Sequence, residues 1–275
     1  RSLRTDRVIV KVGTNTLTNA GGGLNYVLIE SIAEQISELK GAGHEFIIVT
    51  SGAIGLGCNE LSLPERPSDI VLRQVCAAIG QSTVMGVYHR AFEHYGGIVA
   101  QILLTYDDFK DELKHENLRN GIHELLKLGV TPIINENDVV AIDEIAGAFG
   151  DNDRLSAMVS VDVGAGLLIL LTDVDGLYDC NPGDNDGARL IKTVTEITPE
   201  IEAAAGRTGS GLAVGGMKTK VDAARVCMRA GCDLVIANGR EEGVIRRIVG
   251  GDELGTLFCG TRLAMVTGDE HSRID

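Results

Sequence analysis

The sequence predicts an α/β protein, a three-layer αβα sandwich whose central sheet is mostly parallel. Short runs of β-branched and aliphatic residues alternate along the chain with segments whose apolar residues recur at helical spacing. Glycine and polar residues fall where each of these elements should end. This alternation favours parallel strands that are joined by crossover helices covering both faces of the sheet.

The first half of the chain supplies four predicted strands and three predicted helices. The strands are 7–13, 45–52, 98–105 and 130–138, and the helices are about 25–40, 71–95 and 115–128. The first strand, RVIVKVG, is rich in β-branched residues, as expected of a strand buried on both faces. In the first helix, Leu28, Ile32 and Ile36 recur every four residues, and the GAG of residues 41–43 ends it.

The second half repeats this rhythm. Its predicted strands are 167–173, 233–239 and 255–260, and its predicted helices are 153–163, 219–231 and 243–251. The sequence contains no internal repeat and no low-complexity linker. The same mostly parallel sheet is therefore expected to continue through both halves of the chain.

Length and charge exclude several classes of protein. A chain of 275 residues that is 44% hydrophobic can bury a full core and is not a disordered protein. Its net charge of −14 argues against binding to nucleic acid or to an anionic membrane by general electrostatics. The longest unbroken aliphatic run, LLILL at 167–171, has the length of a strand, and the start RSLRTDRV is too polar for a secretory signal.

The six cysteines predict neither a disulfide framework nor a metal site. No C-x-x-C pair occurs, and no histidine pair accompanies the cysteines at zinc-ligand spacing. Thiols scattered through a large core indicate a reducing compartment, so a cytoplasmic protein is expected. Nothing in the sequence activates any one thiol, which makes small core residues the favoured interpretation.

Lys11 lies at the end of the first strand, where a lysine is unexpected. Lysine is rarely buried without a partner, so one interpretation is a strand-end lysine whose ammonium group reaches water. The other is functional, because polar residues follow several predicted strands and ligands bind beyond the carboxyl ends of parallel strands. These polar strand ends are residues 11–14, 50–53, 135–138, 172–173 and 238–239. Together, these five polar strand ends predict a site at one edge of the sheet.

A glycine-rich segment offers a candidate phosphate site. The sequence lacks both G-x-x-x-x-G-K-[ST] and a complete G-x-G-x-x-G after a strand, which excludes the P-loop kinases and the ordinary dinucleotide fold. Residues 209–220, GSGLAVGGMKTK, lead into a predicted helix with two lysines near its start. Backbone N–H groups and a helix N-terminus attract phosphate. A surface loop before an ordinary helix is the alternative, but the coincidence of glycines, helix start and lysines favours phosphate binding.

Nine stretches spread over nearly the whole chain resemble the amino acid kinase family. They are VKVGT, VTSGAIGLG, CAAIGQSTVMGVY, QILLT, PIINENDVV, GDNDRLSA, LLTDVDGLYD, GGMKTKVDAA and VIANG. The combination of VTSGA, INEND and GDND is the most specific part. The resemblance implies the amino acid kinase fold and transfer of the γ-phosphoryl group of ATP to the side-chain carboxylate of L-glutamate, which serves proline biosynthesis.

The resemblance also implies a catalytic set of three residues. Lys11 and Lys220 are expected to bracket the phosphoryl group, and Asp153 is expected to hold the two lysines in place. This assignment is chemically sensible because a carboxylate is already a nucleophile. Catalysis then reduces to bringing two anions together and neutralising charge on the phosphoryl oxygens.

Substrate ligands follow from the same resemblance. Ser51 and Gly52 are expected to bind the glutamate carboxylate, Asp138 its α-ammonium group and Asn152 a carboxylate oxygen, with Asn135 in a supporting role. The implied ATP contacts are Lys11, Thr172, Asp173, Val214, Gly215, Gly216, Met217, Lys218, Thr219 and Lys220. Mg²⁺ is expected to be bound mainly through the nucleotide, without a metal site of the protein's own.

Simpler interpretations of two of these segments stay open. Asn and Asp side chains readily bond their own backbone, so residues 135–138 could be a capped loop. Residues 151–153 could cap the helix expected to begin near Arg154, in which case one of them caps and the others are available to a ligand.

Two departures from the family pattern stand out. The family usually has glycine and threonine where this chain has Ala213 and Val214, which puts the fit of the nucleotide in question. The segment between Asp138 and Asp151 is slightly longer than the family pattern, and this extra length is expected to reshape the glutamate lid.

The resemblance also predicts the domain organisation and the partners. Residues 1–260 are expected to form one amino acid kinase domain, with a glutamate-binding lobe over about 1–165 and an ATP-binding lobe over about 166–260. A disordered tail over 261–275 and no C-terminal PUA-type module are expected. Proline as feedback inhibitor, a homo-oligomer and glutamyl phosphate reductase are the implied partners.

Two other functions compete with this hypothesis. A kinase of the same fold could act on another acid, such as acetylglutamate or a nucleoside monophosphate, and would be expected to line its acceptor pocket with arginines. VTSGA and INEND contain none. A non-catalytic binding protein would be expected to lack the two lysines, and both are present.

Overall fold

One sheet of eight strands organises the residues that the structure describes. The structure, a computed structural model, describes residues 1–19, 23–141, 152–183, 185, 187–207 and 216–261. The strands are β1 (Arg7–Val12), β2 (Glu45–Val49), β3 (Val99–Leu104), β4 (Thr131–Glu136), β5 (Leu167–Thr172), β6 (Thr193–Val194), β7 (Asp233–Asn238) and β8 (Thr256–Phe258). Their order is β3-β4-β2-β1-β5-β7-β8-β6, and the pairing of β7 with β8 is antiparallel while the other pairings are parallel. The predicted mostly parallel sheet is confirmed.

Helices cover both faces of this sheet, as predicted. The helices are α1 (Thr14–Leu17), α2 (Tyr26–Gly41), α3 (Ala53–Glu60), α4 (Ile70–His94), α5 (Glu112–Lys127), α6 (Asp153–Asp162), α7 (Pro199–Arg207), α8 (Met217–Arg229) and α9 (Val244–Val249), and a 3₁₀ turn spans Tyr106–Phe109. α2, α4 and α9 pack with one apolar cluster, and α5, α6, α7 and α8 pack with the other.

Alternation along β1 decides which layer each of its side chains meets. Val8, Val10 and Val12 belong to the cluster of α2, α4 and α9, whereas Ile9 belongs to the opposite cluster. Successive side chains of a strand point to opposite faces, so Lys11 shares the face of Ile9. The register of the sheet thus directs Lys11 towards the layer that contains α6 and α8.

The sequence pattern missed the short elements. α1 has four residues and β6 has two, which is too short for any periodicity to show. α3 was also missed, because Gly55 and Gly57 lower its intrinsic helix propensity. Gly57 is nevertheless required there, since a Cβ at this position would lie 1.9 Å from the carbonyl oxygen of Cys76 in α4. The predicted disordered tail spans 261–275, and all of it except Thr261 lies outside the described residues.

Gln35 joins two helices that are far apart in sequence. Its Oε1 accepts hydrogen bonds from the backbone N–H groups of Ile245 (2.9 Å) and Arg246 (3.2 Å), near the start of α9. Its Nε2 donates to the backbone oxygen of Ser31 within α2. The first N–H groups of a helix have no partner within the helix, so this buried glutamine supplies what a local capping residue usually provides.

Helix α4 is long and apolar enough, by length and composition, to cross a membrane. The sequence predicts this helix over 71–95, but polar residues interrupt its apolar runs, so its membrane-like composition was not noticed. One such helix is weak evidence, since core helices of globular proteins have the same composition.

Candidate functional site

The five polar strand ends lie on one edge of the sheet. β1, β2, β4, β5 and β7 are mutually parallel neighbours, so their carboxyl ends point the same way. A charged cluster lies at the end of β1, and a cavity lies beside it at the ends of β2 and β4. These two parts make up the candidate site.

Lys11, Asp153 and Lys220 form a buried ion triplet. Lys11 Nζ lies 2.6 Å from Asp153 Oδ1, and Lys220 Nζ lies 3.0 Å from Asp153 Oδ2. The three residues are 4%, 0% and 7% exposed. Thr219 Oγ1 donates a further hydrogen bond to Asp153 Oδ2 at 3.0 Å. The triplet has one more positive than negative charge and little water to screen it, so it can attract an anion strongly.

Three separate elements bring this triplet together. Lys11 comes from β1, Asp153 is the first residue of α6, and Lys220 is in the first turn of α8. A carboxylate is stabilised at a helix N-terminus, whereas a lysine in the first turn is not. Asp153 therefore offsets the unfavourable placement of Lys220 as well as the repulsion between the two ammonium groups.

The burial of Lys11 decides between the two interpretations of that residue. A strand-end lysine reaching water would be exposed, and this one is enclosed with Asp153. The surface interpretation is therefore wrong.

The capping interpretation of residues 151–153 does not apply to Asn152. Asn152 occupies the N-cap position of α6, but its side chain makes no capping hydrogen bond. Its Nδ2 instead donates to the backbone oxygen of Thr50 (2.5 Å) and to Asn135 Oδ1 (2.7 Å). Asp151 lies outside the described residues. The Asn152 side chain is thus directed at the ends of β2 and β4 and not at its own helix.

The cavity beside the triplet has a volume of about 230 Å³. Its walls are formed by Thr14, Ser51, Gly52, Ala53, Ile54, Gly55, Arg66, Asn135, Glu136, Asp138 and Asn152. All five predicted acceptor ligands are among them. Asn152 lines the cavity and Asp153 follows it directly, so a molecule in the cavity lies next to the triplet. We call this cavity the acceptor cavity.

Gly52 gives the acceptor cavity its positive end. Its φ of +89° is in the left-handed region, and a Cβ there would lie 3.3 Å from Leu17 Cδ2. This turn starts α3 immediately after Ser51, so the N-terminus of the helix faces the cavity. Backbone N–H groups at a helix N-terminus favour a bound carboxylate.

Arg66 lines the acceptor cavity and was missed by sequence reasoning. It lies in the connection between α3 and α4, outside every motif that pointed to the site. No periodicity or spacing marks such a residue, so the sequence held no signal for it. The absence of arginine from VTSGA and INEND therefore did not describe the whole lining of the cavity.

The predicted ATP contacts occupy the other side of the triplet where the structure describes them. Thr172 ends β5, and its hydroxyl donates to Asp173 Oδ1 at 3.1 Å. Gly216 precedes α8, Met217 is buried in its first turn, and Lys218 is exposed. Val214 and Gly215 lie outside the described residues.

Burial raises the pKa of one group in α4 and of one group in α3. Burial raises the pKa of Tyr88 to about 12, and its hydroxyl lies 3.3 Å from Thr50 Oγ1. Burial, together with a hydrogen bond to the Cys76 thiol, raises the pKa of Cys58 to about 11. A thiol with a raised pKa is a poor nucleophile, which agrees with the interpretation of this cysteine as a core residue.

Comparison with known proteins agrees with the geometry of the site. The sequence pattern of the amino acid kinase family matches residues 6–238. The fold and the triplet therefore define the class of the protein, and the chain belongs to the amino acid kinase family. Membership of this family implies the use of ATP.

Within this family, similar curated proteins bear the name glutamate 5-kinase. The protein from Methanococcoides burtonii is 51% identical over 253 residues, covering 92% of this chain and 68% of its own length. The protein from Clostridium perfringens is 44% identical over 258 residues, covering 93% of this chain and 96% of its own length. These relatives confirm the resemblance predicted from the sequence motifs.

Solved structures of other kinases share the fold at low sequence identity. UMP kinase from Ureaplasma parvum matches with a TM-score of 0.62 at 15% identity, over 94% of this chain and all of its own. A structure of isopentenyl phosphate kinase matches with a TM-score of 0.62 at 19% identity, over 92% of this chain and 99% of its own. Identities this low support the fold and not the substrate.

Proposed function

We propose that this protein transfers the γ-phosphoryl group of ATP to the γ-carboxylate of L-glutamate, the first step of proline biosynthesis. The observation that carries the proposal is the buried triplet of two lysines and one aspartate directly beside a cavity suited to an amino acid. The names of the similar curated proteins support the choice of acceptor.

The triplet performs the electrostatic part of the reaction. The glutamate carboxylate attacks the γ-phosphorus, and ADP leaves. Negative charge is spread over the phosphoryl oxygens in the transition state, and Lys11 and Lys220 neutralise it from two sides. Asp153 fixes both ammonium groups before the substrates arrive, so the protein needs little reorganisation during the reaction. A carboxylate is already ionised at neutral pH, so no general base is required.

The acceptor cavity orients L-glutamate. Ser51 and the N–H groups that begin α3 at Gly52 bind a substrate carboxylate, and Arg66, which also lines the cavity, adds a positive charge. Asp138 binds the α-ammonium group. Asn152 and Asn135 complete the polar wall at the end of β4.

ATP binds on the side of β5 and α8. Thr172 and Asp173 contact the nucleotide, as do residues 214–220, whose glycines allow backbone N–H groups to approach the phosphates. Mg²⁺ would be held mainly through the nucleotide and would supply positive charge that offsets part of the charge of the phosphates. The glutamate-binding lobe is accordingly proposed to span about residues 1–165, and the ATP-binding lobe about residues 166–260.

A same-fold kinase for another acid is the second candidate, and Arg66 is the observation that favours it. An arginine beside the acceptor can bind a phosphate or an acylated amino acid through its second carboxylate. The carboxylates of Glu136 and Asp138 on the same cavity favour a ligand with an ammonium group instead. Hydroxamate formation decides between the two. Hydroxylamine traps an acyl phosphate, so L-glutamate with ATP and Mg²⁺ should give γ-glutamyl hydroxamate, and hydroxamate from another acid alone would favour the second candidate.

We expect L-glutamate, but not N-acetylglutamate, to support ADP release. Acetylation removes the positive charge that Asp138 is proposed to bind and leaves a buried carboxylate facing a neutral amide. A coupled assay of ADP formation, with the two acids at matched concentrations, measures the difference. In the same assay, Asp138→Asn should raise the KM for L-glutamate and leave the KM for ATP nearly unchanged. Equal turnover of the two acids would contradict the assignment.

We expect proline to inhibit by competing for the acceptor cavity. Its carboxylate and ammonium groups match those of the glutamate backbone, so the two amino acids should exclude each other. Initial rates measured over a grid of proline and glutamate concentrations should show inhibition that saturating glutamate relieves. Inhibition of the same depth at every glutamate concentration would place proline elsewhere.

The remaining assignments concern the setting of the enzyme. We propose a cytoplasmic location, which free thiols at both buried and partly exposed cysteines support. The enzyme is proposed to be a homo-oligomer. Glutamyl phosphate reductase is its proposed functional partner, because the acyl phosphate product hydrolyses readily in water and must be used quickly.

A further inference from the structure

Three side-chain amides form a buried chain behind the acceptor cavity. Gln81 Oε1 in α4 accepts a hydrogen bond from Asn135 Nδ2 in β4 at 2.7 Å. Asn135 Oδ1 in turn accepts one from Asn152 Nδ2 at 2.7 Å. All three residues are at least nine-tenths buried. Asn135 and Asn152 line the acceptor cavity, whereas Gln81 lines an adjoining cavity of about 290 Å³.

Two backbone groups fix the direction of this chain. The carbonyl oxygen of Thr50 can only accept, and it takes a hydrogen bond from Asn152 Nδ2. The N–H group of Glu136 can only donate, and it binds Asn135 Oδ1 at 2.9 Å. Reversing either amide would place two donors or two acceptors against each other, so neither can be turned without losing a bond. Asn135 Nδ2 must therefore point at Gln81, and Gln81 must present its oxygen.

The fixed direction leaves one amide oxygen of a cavity-lining residue without a partner. Both hydrogens of Asn152 Nδ2 are used by Thr50 and Asn135, so its remaining polar atom is Oδ1. Among the residues that the structure describes, this buried oxygen has no hydrogen-bond partner. A buried acceptor without a partner is costly, and a donor on the ligand removes the cost. The α-ammonium group is the donor that L-glutamate offers.

Close packing of two helices holds Gln81 at this position. A Cβ at the neighbouring Gly80 would lie 1.9 Å from the carbonyl oxygen of Ala53, at the start of α3. Glycine therefore allows α4 to approach the helix that begins at the acceptor cavity. The amide chain is anchored at its far end by the helix packing that also forms the cavity.

We propose that Gln81 is a positioning residue of the acceptor site, which through Asn135 holds Asn152 with its oxygen towards the substrate ammonium group. The inference rests on the proposed function and deepens it. It changes the role expected for Asn152, which in this arrangement presents an acceptor for ammonium and not a donor for a carboxylate oxygen. Gln81 itself does not touch the substrate.

Gln81→Met tests this role, because methionine keeps the length of the side chain and removes the acceptor. Asn135 Nδ2 then loses its partner, and we expect the KM for L-glutamate to rise about tenfold while the KM for ATP and kcat stay near those of the wild type. Glutarate lacks the ammonium group, so its inhibition constant against L-glutamate should change much less. Gln101→Met is the matched control, since Gln101 lines the same adjoining cavity but is exposed on β3.

Several outcomes would overturn the inference. An unchanged KM for L-glutamate in the variant would do so, as would equal effects on L-glutamate and on glutarate. Parallel rises in the KM values for L-glutamate and ATP, together with a lower melting temperature, would indicate a structural role only and would also overturn it. Should Gln81→Met fail to fold, Gln81→Asn withdraws the acceptor without adding an apolar group and carries the same expectations. If the wild-type protein makes no γ-glutamyl hydroxamate, the proposed function is overturned as well. If the wild-type protein is active and Gln81→Met has the wild-type KM for L-glutamate, only the role of Gln81 is overturned.

Discussion

Replacing Lys11 with methionine is expected to lower kcat by about 100- to 1,000-fold, the usual effect of losing one preorganised charge in an active site. The KM values for ATP and L-glutamate should change far less. Lys11 is proposed to meet the phosphoryl oxygens mainly in the transition state, and an interaction made only there affects kcat and not ground-state binding. Steady-state kinetics with each substrate varied in turn measures this distinction.

The fold should survive this substitution. Methionine matches the apolar stem of lysine, and Asp153 keeps its contacts with Lys220 and Thr219, so the buried carboxylate is not left without a positive partner. Removal of Lys11 also relieves the repulsion between the two ammonium groups. Thermal unfolding should therefore shift little, which separates a catalytic loss from a loss of structure.

Lys40→Met provides the control. Lys40 is also a partly buried lysine with hydrogen-bonded partners, but it contacts Gly129 and Thr131 at the opposite end of β4 from the acceptor cavity. Its removal should leave kcat unchanged. A Lys11→Met protein that kept most of its kcat, or a control that lost as much, would show that the charge of Lys11 has no special part in the reaction.

The sequence was sufficient for the elements whose pattern is long and regular. β1, β2, β4 and β5 are aliphatic runs bounded by polar residues, and parallel order follows from the helices between them. Once those strands are parallel, their polar ends must meet at one edge, which explains why Lys11, Ser51 and Asn135 could be assigned to one site. The fold class and the position of the site are therefore accessible from local pattern and topology.

Details that depend on packing were not accessible. Arg66 belongs to a connection with no periodicity, and only the three-dimensional path of that connection places it on the acceptor cavity. The direction of the Asn152 amide depends on two backbone groups at Thr50 and Glu136, which are 102 and 16 positions away in sequence. Sequence spacing contains no information about such contacts. The role expected for Asn152 was consequently assigned by residue type and not by hydrogen-bond geometry.

Asp153→Asn should also lower kcat by about 100- to 1,000-fold, but it should differ from Lys11→Met in stability. Asp153 is fully buried between two lysines and contacts Thr219, so its loss leaves two ammonium groups facing each other without a counter-charge. Removing one partner from a buried ion pair typically costs about 3 to 5 kcal/mol of folding free energy. Thermal or denaturant unfolding should therefore show a large loss for this variant and a small one for Lys11→Met.

Combining the two substitutions tests whether the triplet acts as a unit. Once Asp153 is replaced, Lys11 is no longer aligned, so removing it as well should cost little further activity. The double variant should also be more stable than Asp153→Asn alone, because only Lys220 then remains charged in the cluster. A double-mutant cycle on kcat and on unfolding free energy measures both couplings, with Lys40→Met combined with Asp153→Asn as the distant control that should be additive. If the losses from Lys11 and Asp153 are also additive, the two residues act independently, and Asp153 does not hold Lys11 in its catalytic position.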